Sequence, residues 1–367
     1  MKTMLRQLLY RLTLGAAMAR KAKPQRRFAL GVLKLDRLGD GVLALGAVRR
    51  LLAKFDEADT LLVVSPLAEP LFRAEFPAAT LLVLPSFCGH FFPDYLSFLF
   101  GHSAPLRNVS VERLVCLRHQ PSDYLHSVAR LLAPGRCYAS RVKQPWESVC
   151  LDYPVAQLAE YPEAPQPQCL ELEAHRRVVE MAIGEPVALA EMLPEVRSAQ
   201  PVDGDALLVC PEAGDPLRIY PAALLAEAVR LIVSARPMPV EVCLPPMVDE
   251  TRWATAFKEA GVTCRTWHRP KDAVALIEVL ARAGVILAND SAPAHLATAM
   301  DKRGVFLLGG GHFGFFAPWR RSERQRWIYN PIDCYQCHWN CIHPEPYCIT
   351  GIAPERIAEA LTQVLNA

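Results

Sequence analysis

Short unbroken apolar runs alternate along most of this chain with longer stretches in which apolar residues recur every three or four positions. FALGVLKL (28–35), TLLVVSP (60–66) and TLLVLPS (80–86) predict strands buried on both faces, as parallel strands are. VLALGAVRRLLAKF and the segment from Leu67 to Phe76 carry the helical period and predict the helices between them. A second series of the same kind follows. Its strands are predicted at 206–210, 240–244, near VTCR (262–265), 284–288 and 304–308, and its helices at 221–234, 248–260, 272–283 and 294–300. APERIAEALTQVLNA predicts a terminal helix with Pro354 in its first turn.

Two such series predict two α/β domains facing each other across a groove, with ligands beyond the carboxyl ends of the strands. The length, 367 residues, suits two domains of ordinary size. YPEAPQPQ (161–168) reads as their connector, with a helix from Glu171 to Ala182 that can return to the first domain. The expected division is 1–27, a basic N-terminal segment; 28–200, a first α/β domain; 201–332, a second; 333–349, a cysteine cluster; and 350–367, the terminal helix. Aromatic residues crowd the stretch from Ser86 to Leu106, which reads either as an acceptor or membrane loop or as a helix buried under the sheet.

Composition sharpens this picture at few points. Apolar residues at 51% and charged ones at 21% describe a folded chain and not a disordered one, and a net charge of +2 gives no basis for a nucleic-acid partner. Charge is uneven, however. Met1 to Arg27 holds Lys2, Arg6, Arg11, Arg20, Lys21, Lys23, Arg26 and Arg27 and no acidic residue, while Met4, Leu5, Leu8, Leu9 and Leu12 recur at helical spacing. A basic amphipathic helix of this kind can lie on an anionic membrane surface, or it can dock on the protein itself. Arg11 interrupts the apolar run, which fits a signal peptide poorly, and no other segment has the roughly 20 apolar residues of a membrane span.

Candidate chemistry lies at strand ends. In LKLDRLGDGVLAL, Asp40 stands where the first strand gives way to a helix and suits either a helix cap or a general base. In PEAGDPLRIYP (211–221), Arg218 offers a planar fork for phosphate oxygens; alone, it is equally an exposed loop arginine. In ANDSAPAHLATAM (288–300), Asn289, Asp290, Ser291, Ala292 and His295 crowd a helix start, where amides attract an anion and Pro293 suits the first turn. G-x-x-x-x-G-K-[ST] is absent, and GDGVLALG does not fit G-x-G-x-x-G. CYQCHWNCIHPEPYC spaces Cys334, Cys337, Cys341 and Cys348 as C-x2-C-x3-C-x6-C, which suits a closed Zn or Fe site with His338 and His343 as spare ligands, or else free or disulfide cysteines. The other eight cysteines are scattered, as small buried hydrophobes are, and point to a reducing compartment.

NDSAPAHLATAM resembles the N-D-S-G-P-x-H-L-A-A-A signature of glycosyltransferase family 9, the lipopolysaccharide heptosyltransferases. RLGDGVLAL is similar to that family's first loop, G-D-x-[IV]-L, and LRIYP lies where the family has K-x-W-P. The three motifs occur in order over most of residues 28–367. The resemblance implies an α/β fold of the GT-B type, with two Rossmann-like domains facing across a cleft. It implies Asp40 as the catalytic base, Arg218 as the diphosphate contact, and Asn289, Asp290, Ser291, Ala292 and His295 in the donor site. It implies no cofactor for an inverting transfer of sugar, heptose from ADP-heptose, to a lipopolysaccharide core or related glycan by a protein peripheral on the inner face of the cytoplasmic membrane. Ala292 in place of glycine, Arg218 in place of lysine, and LPPM (244–247) without the usual glycine depart from the pattern. Two alternatives stay in view: a family member that modifies protein, such as an autotransporter, and an inactive sugar-nucleotide-binding scaffold, to which Ala292 and LPPM are the hints.

Overall fold

The computed structural model describes residues 12–21, 23–85, 98–117, 123–141, 155–157, 170–320 and 322–367. Residues 1–11 of the basic segment, 86–97 of the aromatic stretch and most of the proline-rich connector lie outside them. The chain forms two compact units, one of residues 1–161 and 171–192, the other of 162–170 and 193–367. The change of unit thus falls after Met192, whereas the sequence pattern begins the second domain at residue 201.

Unit 1 contains β1 (Arg26–Lys34), α1 (Leu38–Leu43), α2 (Leu45–Leu52), β2 (Thr60–Val64), α3 (Glu69–Glu75), β3 (Thr80–Val83), β4 (Val109–Cys116), α4 (Asp123–Leu132), β5 (Arg136–Arg141), β6 (Val155–Gln157) and α5 (Leu170–Ile183). Its sheet has the order β3-β2-β1-β4-β5-β6. All the pairings are parallel, with Leu30 opposite Thr60 on one side of β1 and Leu33 opposite Cys116 on the other. Strands so paired need helical crossovers on their faces, which is why β2 and the Phe28–Leu33 part of β1 are almost wholly apolar. The core joins Leu33, Val63 and Leu114 of the sheet to Val128 and Leu132 of α4.

The helix expected after β1 is two helices, broken at Ala44. α5 returns to unit 1, as the sequence allowed, followed by a short turn at Leu189–Met192. Gly46 lets α2 approach that turn, since a Cβ there would lie 2.1 Å from the Met192 carbonyl oxygen. Residues 12–19 are helical, with Leu14, Ala17 and Met18 packed on the unit 1 core and the Lys21 ammonium donating to the Leu131 carbonyl. This part of the basic segment therefore docks on the protein. Among the described residues no helix is long and apolar enough to cross a membrane. Of the aromatic stretch, Phe98 is buried and meets Tyr124 edge-on at 4.6 Å between centroids.

Unit 2 contains β7 (Leu207–Cys210), α6 (Ala222–Ala235), β8 (Val240–Cys243), α7 (Thr251–Glu259), β9 (Cys264–His268), α8 (Ala273–Arg282), β10 (Val285–Asn289), α9 (Ala292–Ala299), β11 (Gly304–Leu307), β12 (Gln325–Ile328), α10 (Tyr347–Thr350) and α11 (Pro354–Asn366). The sheet order is β12-β11-β10-β7-β8-β9, again all parallel. Its core is built on Leu207, Val209, Leu287 and Leu307, covered by Val229 of α6 and by Ile357, Leu361 and Val364 of α11. β7 lies between β8, which follows it, and β10, so the order reverses between β7 and β10. Crevices beyond such a reversal are where open α/β sheets bind ligands, because crossovers leave the sheet edge in opposite directions there.

Candidate functional site

The reversal point of unit 2 gathers most of the residues singled out in the sequence. Asn289 ends β10 and is buried; its Nδ2 donates to the Pro211 carbonyl after β7, and its Oδ1 accepts from the Tyr220 amide at 3.4 Å. That side chain ties the ends of β10 and β7 together and shapes the site from beneath. Tyr220 is fully buried, with its hydroxyl donating to the Ile352 carbonyl and burial pushing its phenol up. Asp290 follows, 3% exposed, with its amide donating to the Leu307 carbonyl at 2.9 Å.

Arg218 closes a single turn at Pro216–Arg218 whose start is capped by the Asp215 carboxylate, 3.0 Å from the Leu217 amide. Its guanidinium donates to the Asp290 carbonyl at 3.2 Å and lies 3.8 Å from Asp290 Oδ2. Arg218 Nε is buried without a hydrogen-bond partner among the described residues. His295 sits in the first turn of α9, buried, with Nε2 3.6 Å from Asp290 Oδ1. Burial alone would raise the Asp290 carboxyl, but His295, Arg218 and His312 outweigh it and hold the group below its ordinary value. A carboxylate thus stays charged in a buried place, balancing an arginine that points at the strand ends.

α9 begins two residues earlier than its pattern predicts, so Ala292 and Pro293 are helical and Ser291 occupies the cap position. Ser291 does not cap: its hydroxyl donates to the Asn289 carbonyl at 3.1 Å. Ser291 and Ala292 are half-buried and border the helix start.

Asp40 belongs to unit 1, in the first turn of α1, at the β1/β4 reversal of that sheet. The cap position is Arg37, so Asp40 is not the helix cap; its charge instead acts on Lys34 at the end of β1. Lys34 is buried at 1% exposure, 2.6 Å from Glu171 and 3.2 Å from Asp36. Burial opposes its charge, but Glu171, Asp36 and Asp40 together hold its ammonium well above the ordinary lysine value. His175 Nε2 lies 3.2 Å from the same Glu171 oxygen. Sequence reasoning missed this group, because Lys34 reads as one polar residue ending an apolar run and Glu171 as an exposed first-turn acid.

It also missed the loop after β11. Gly309, Gly310 and Gly311 lie against the rings of Trp339 and Tyr335, and a Cβ on Gly310 would meet Tyr335 Cδ1 at 2.2 Å. The amides of Gln336 and His338 donate to the Gly310 and Gly311 carbonyls at 2.8 and 3.0 Å. Three glycines directly after an apolar strand, LLGGGHFG, were the available signal.

The cysteine loop is held by this docking, with Gln336, His338 and Trp339 at positive φ. The spacing of its four cysteines suited either a metal site or free or disulfide cysteines; Cys334, Cys337 and Cys341 are half-buried free thiols and Cys348 is a buried one. Among the described residues no three His, Cys, Asp or Glu side chains are grouped to hold a metal ion. The thiols are near enough that Cys337 and Cys341, after burial, help to raise Cys334. The loop is packed through its ring-on-glycine contacts.

The model of glycosyltransferase family 9 (heptosyltransferase) matches residues 153–342. The chain belongs to this family. Members are glycosyltransferases, and the chain is accordingly a transferase of this class. No curated protein matches it. Among solved structures it is similar to E. coli ADP-heptose lipopolysaccharide heptosyltransferase II, at 16% identity and TM-score 0.62 over 92% of this chain and 99% of that one. It is similar also to a family 9 glycosyltransferase of Veillonella parvula, at 12% identity and TM-score 0.68 over 94% and 99%. A third likeness is to TibC of enterotoxigenic E. coli H10407, a dodecameric iron-containing glycosyltransferase, at 12% identity and TM-score 0.51 over 95% and 80%. These likenesses give the fold, two parallel α/β units of the GT-B type; family membership rests on the family model.

Proposed function

We propose that this family 9 enzyme transfers heptose from ADP-heptose to a lipopolysaccharide core or related surface glycan, with inversion at the anomeric carbon. The observation that carries the reading is the group of half-buried Arg218 with buried Asp290 and His295 at the β7/β10 reversal of unit 2, a place suited to receive an anion. Arg218 bonds the diphosphate, the α9 start and the Ser291 hydroxyl border it, and Asn289 holds the two strand ends in register. Ala292 puts a methyl where the family motif has glycine and narrows the approach to the helix start. Asp40 takes the proton from the acceptor hydroxyl, that oxygen attacks the anomeric carbon, and nucleoside diphosphate leaves from the opposite face. Negative charge grows on the departing phosphate, where the fixed donors of unit 2 are worth most. The similar E. coli heptosyltransferase II, named for ADP-heptose, supports the choice of donor.

Asp40→Asn is expected to reduce transfer by at least about a thousandfold while ADP binding persists, since it removes the base and leaves unit 2 untouched. Undiminished turnover would remove Asp40 from the mechanism. A panel of nucleotide sugars scored by thermal shift identifies the donor. Transfer to protein and not glycan would select the autotransporter-type reading, and binding without hydrolysis or transfer would select the scaffold. For the basic N-terminal segment the proposed place is the inner face of the cytoplasmic membrane. A structural Zn or Fe on Cys334, Cys337, Cys341 and Cys348 is a second proposal, supported by the spacing of the thiols and by the iron-containing TibC. It requires the loop to rearrange, and elemental analysis of the purified full chain decides it.

A further inference from the structure

The His295 ring is held between two indoles. Trp319, 8% exposed, donates its Nε1–H to His295 Nδ1 at 3.1 Å, and the Trp327 ring lies 6.0 Å away on a tilted approach. An indole nitrogen donates and cannot accept. The bond therefore forms only when Nδ1 carries no proton, and the single N–H of a neutral imidazole must then sit on Nε2. The opposite tautomer would set two N–H groups head to head across 3.1 Å and turn the Nε2 lone pair toward the Asp290 carboxylate. Nε2 is 3.6 Å from Asp290 Oδ1, longer than a good hydrogen bond, so its proton points to this corner of the site and is retained for a closer acceptor.

We infer that Trp319 is a positioning residue that fixes the tautomer of His295, so that a hydrogen-bond donor is presented beside Asp290 and Arg218 to the diphosphate oxygens of the nucleotide. The inference rests on the donor-site reading above. In it, His295 contributes a hydrogen bond that strengthens as the leaving diphosphate gains charge, with no proton transferred, and Trp319 acts only through His295. The same logic applies to His312, whose Nδ1 accepts from Trp339 Nε1 at 3.1 Å.

The test is nitrogen NMR of the full chain labelled with 15N-histidine, with His295 identified by the signal lost in His295→Gln. Wild type is expected to show a pyridine-type Nδ1 and a protonated Nε2 at neutral pH; a protonated Nδ1 overturns the inference without any variant being needed. Trp319→Phe keeps an aromatic ring and removes the donor. With an unchanged urea midpoint, it is expected to give mixed tautomers at His295 and to weaken ADP binding roughly tenfold, the worth of one hydrogen bond to a charged group. An unchanged tautomer in this variant, or an altered tautomer with undiminished ADP affinity, overturns the positioning role. If wild type binds no ADP, the donor-site reading falls on its own, and the spectrum still decides the tautomer.

Discussion

Lys34 shows how a single polar residue in an apolar run can be read wrongly. By pattern it closes a strand; in the fold it is a buried cation shared by Glu171, Asp36 and Asp40, brought together by residues far apart in the chain. Removing one partner of a buried pair leaves an uncompensated charge, whereas replacing both by apolar groups is much milder. Glu171→Gln is expected to destabilise unit 1 by about 3 kcal/mol, read from urea unfolding, and Lys34→Met with Glu171→Gln by less than the sum of the single changes. Additive losses would show that the pair is not coupled. At this scale the candidate residues Asp40, Arg218, Asp290 and His295 could be singled out because each follows a strand, in the loop or first helical turn, with a chemically distinctive side chain. Their partners could not. Trp319, Glu171 and Tyr220 act across 24, 137 and 132 positions, and no local pattern encodes such separations.

Among the elements, the central strands of both sheets follow the apolar runs closely, since a parallel strand covered on both faces has little choice of composition. β4, whose VSVERLVC mixes charge with apolar residues, gives no such run, and neither does β12, whose QRWI opens on two polar residues. Helix ends were less legible, because α9 absorbs Ala292 and Pro293 once Ser291 is fixed by Asn289. In the cysteine loop the spacing of the thiols was legible, but its packing against three glycines was not. Tyr335 cannot retreat from Gly310, being stacked on Phe313 at 5.0 Å and bonded through its hydroxyl to the Asn330 carbonyl at 2.8 Å. Gly310→Ala is therefore expected to cost about 2 kcal/mol in chemical unfolding, by overpacking against a ring without room to move. A neutral effect would mean that the loop is not clamped there.

For the whole molecule, two sheets of the same topology each place their candidate residues after the strand at which the order reverses: Asp40 after β1, and Arg218 and Asp290 after β7 and β10. The basic segment adds a property that belongs to neither sheet. Residues 12–19 are committed to the unit 1 core through Ala17, so the proposed membrane attraction is assigned chiefly to the part before them, which carries Lys2, Arg6 and Arg11. Deleting residues 1–11 is expected to weaken sedimentation with anionic vesicles by up to about 3 kcal/mol, near 1 per cation, with the melting temperature unchanged. Equal sedimentation of the two proteins would count against the anchor. The sequence by itself determined the fold class, the two α/β series and the strand ends beyond which the candidate residues lie, because period, burial and end residues are local properties of the chain. Only the tertiary structure decided that Asn289 staples two strand ends, that an indole dictates which nitrogen of His295 holds the proton, that Lys34 is a buried cation and that glycines shape the cysteine loop. Each of these depends on the distance between residues remote in sequence, which only packing fixes.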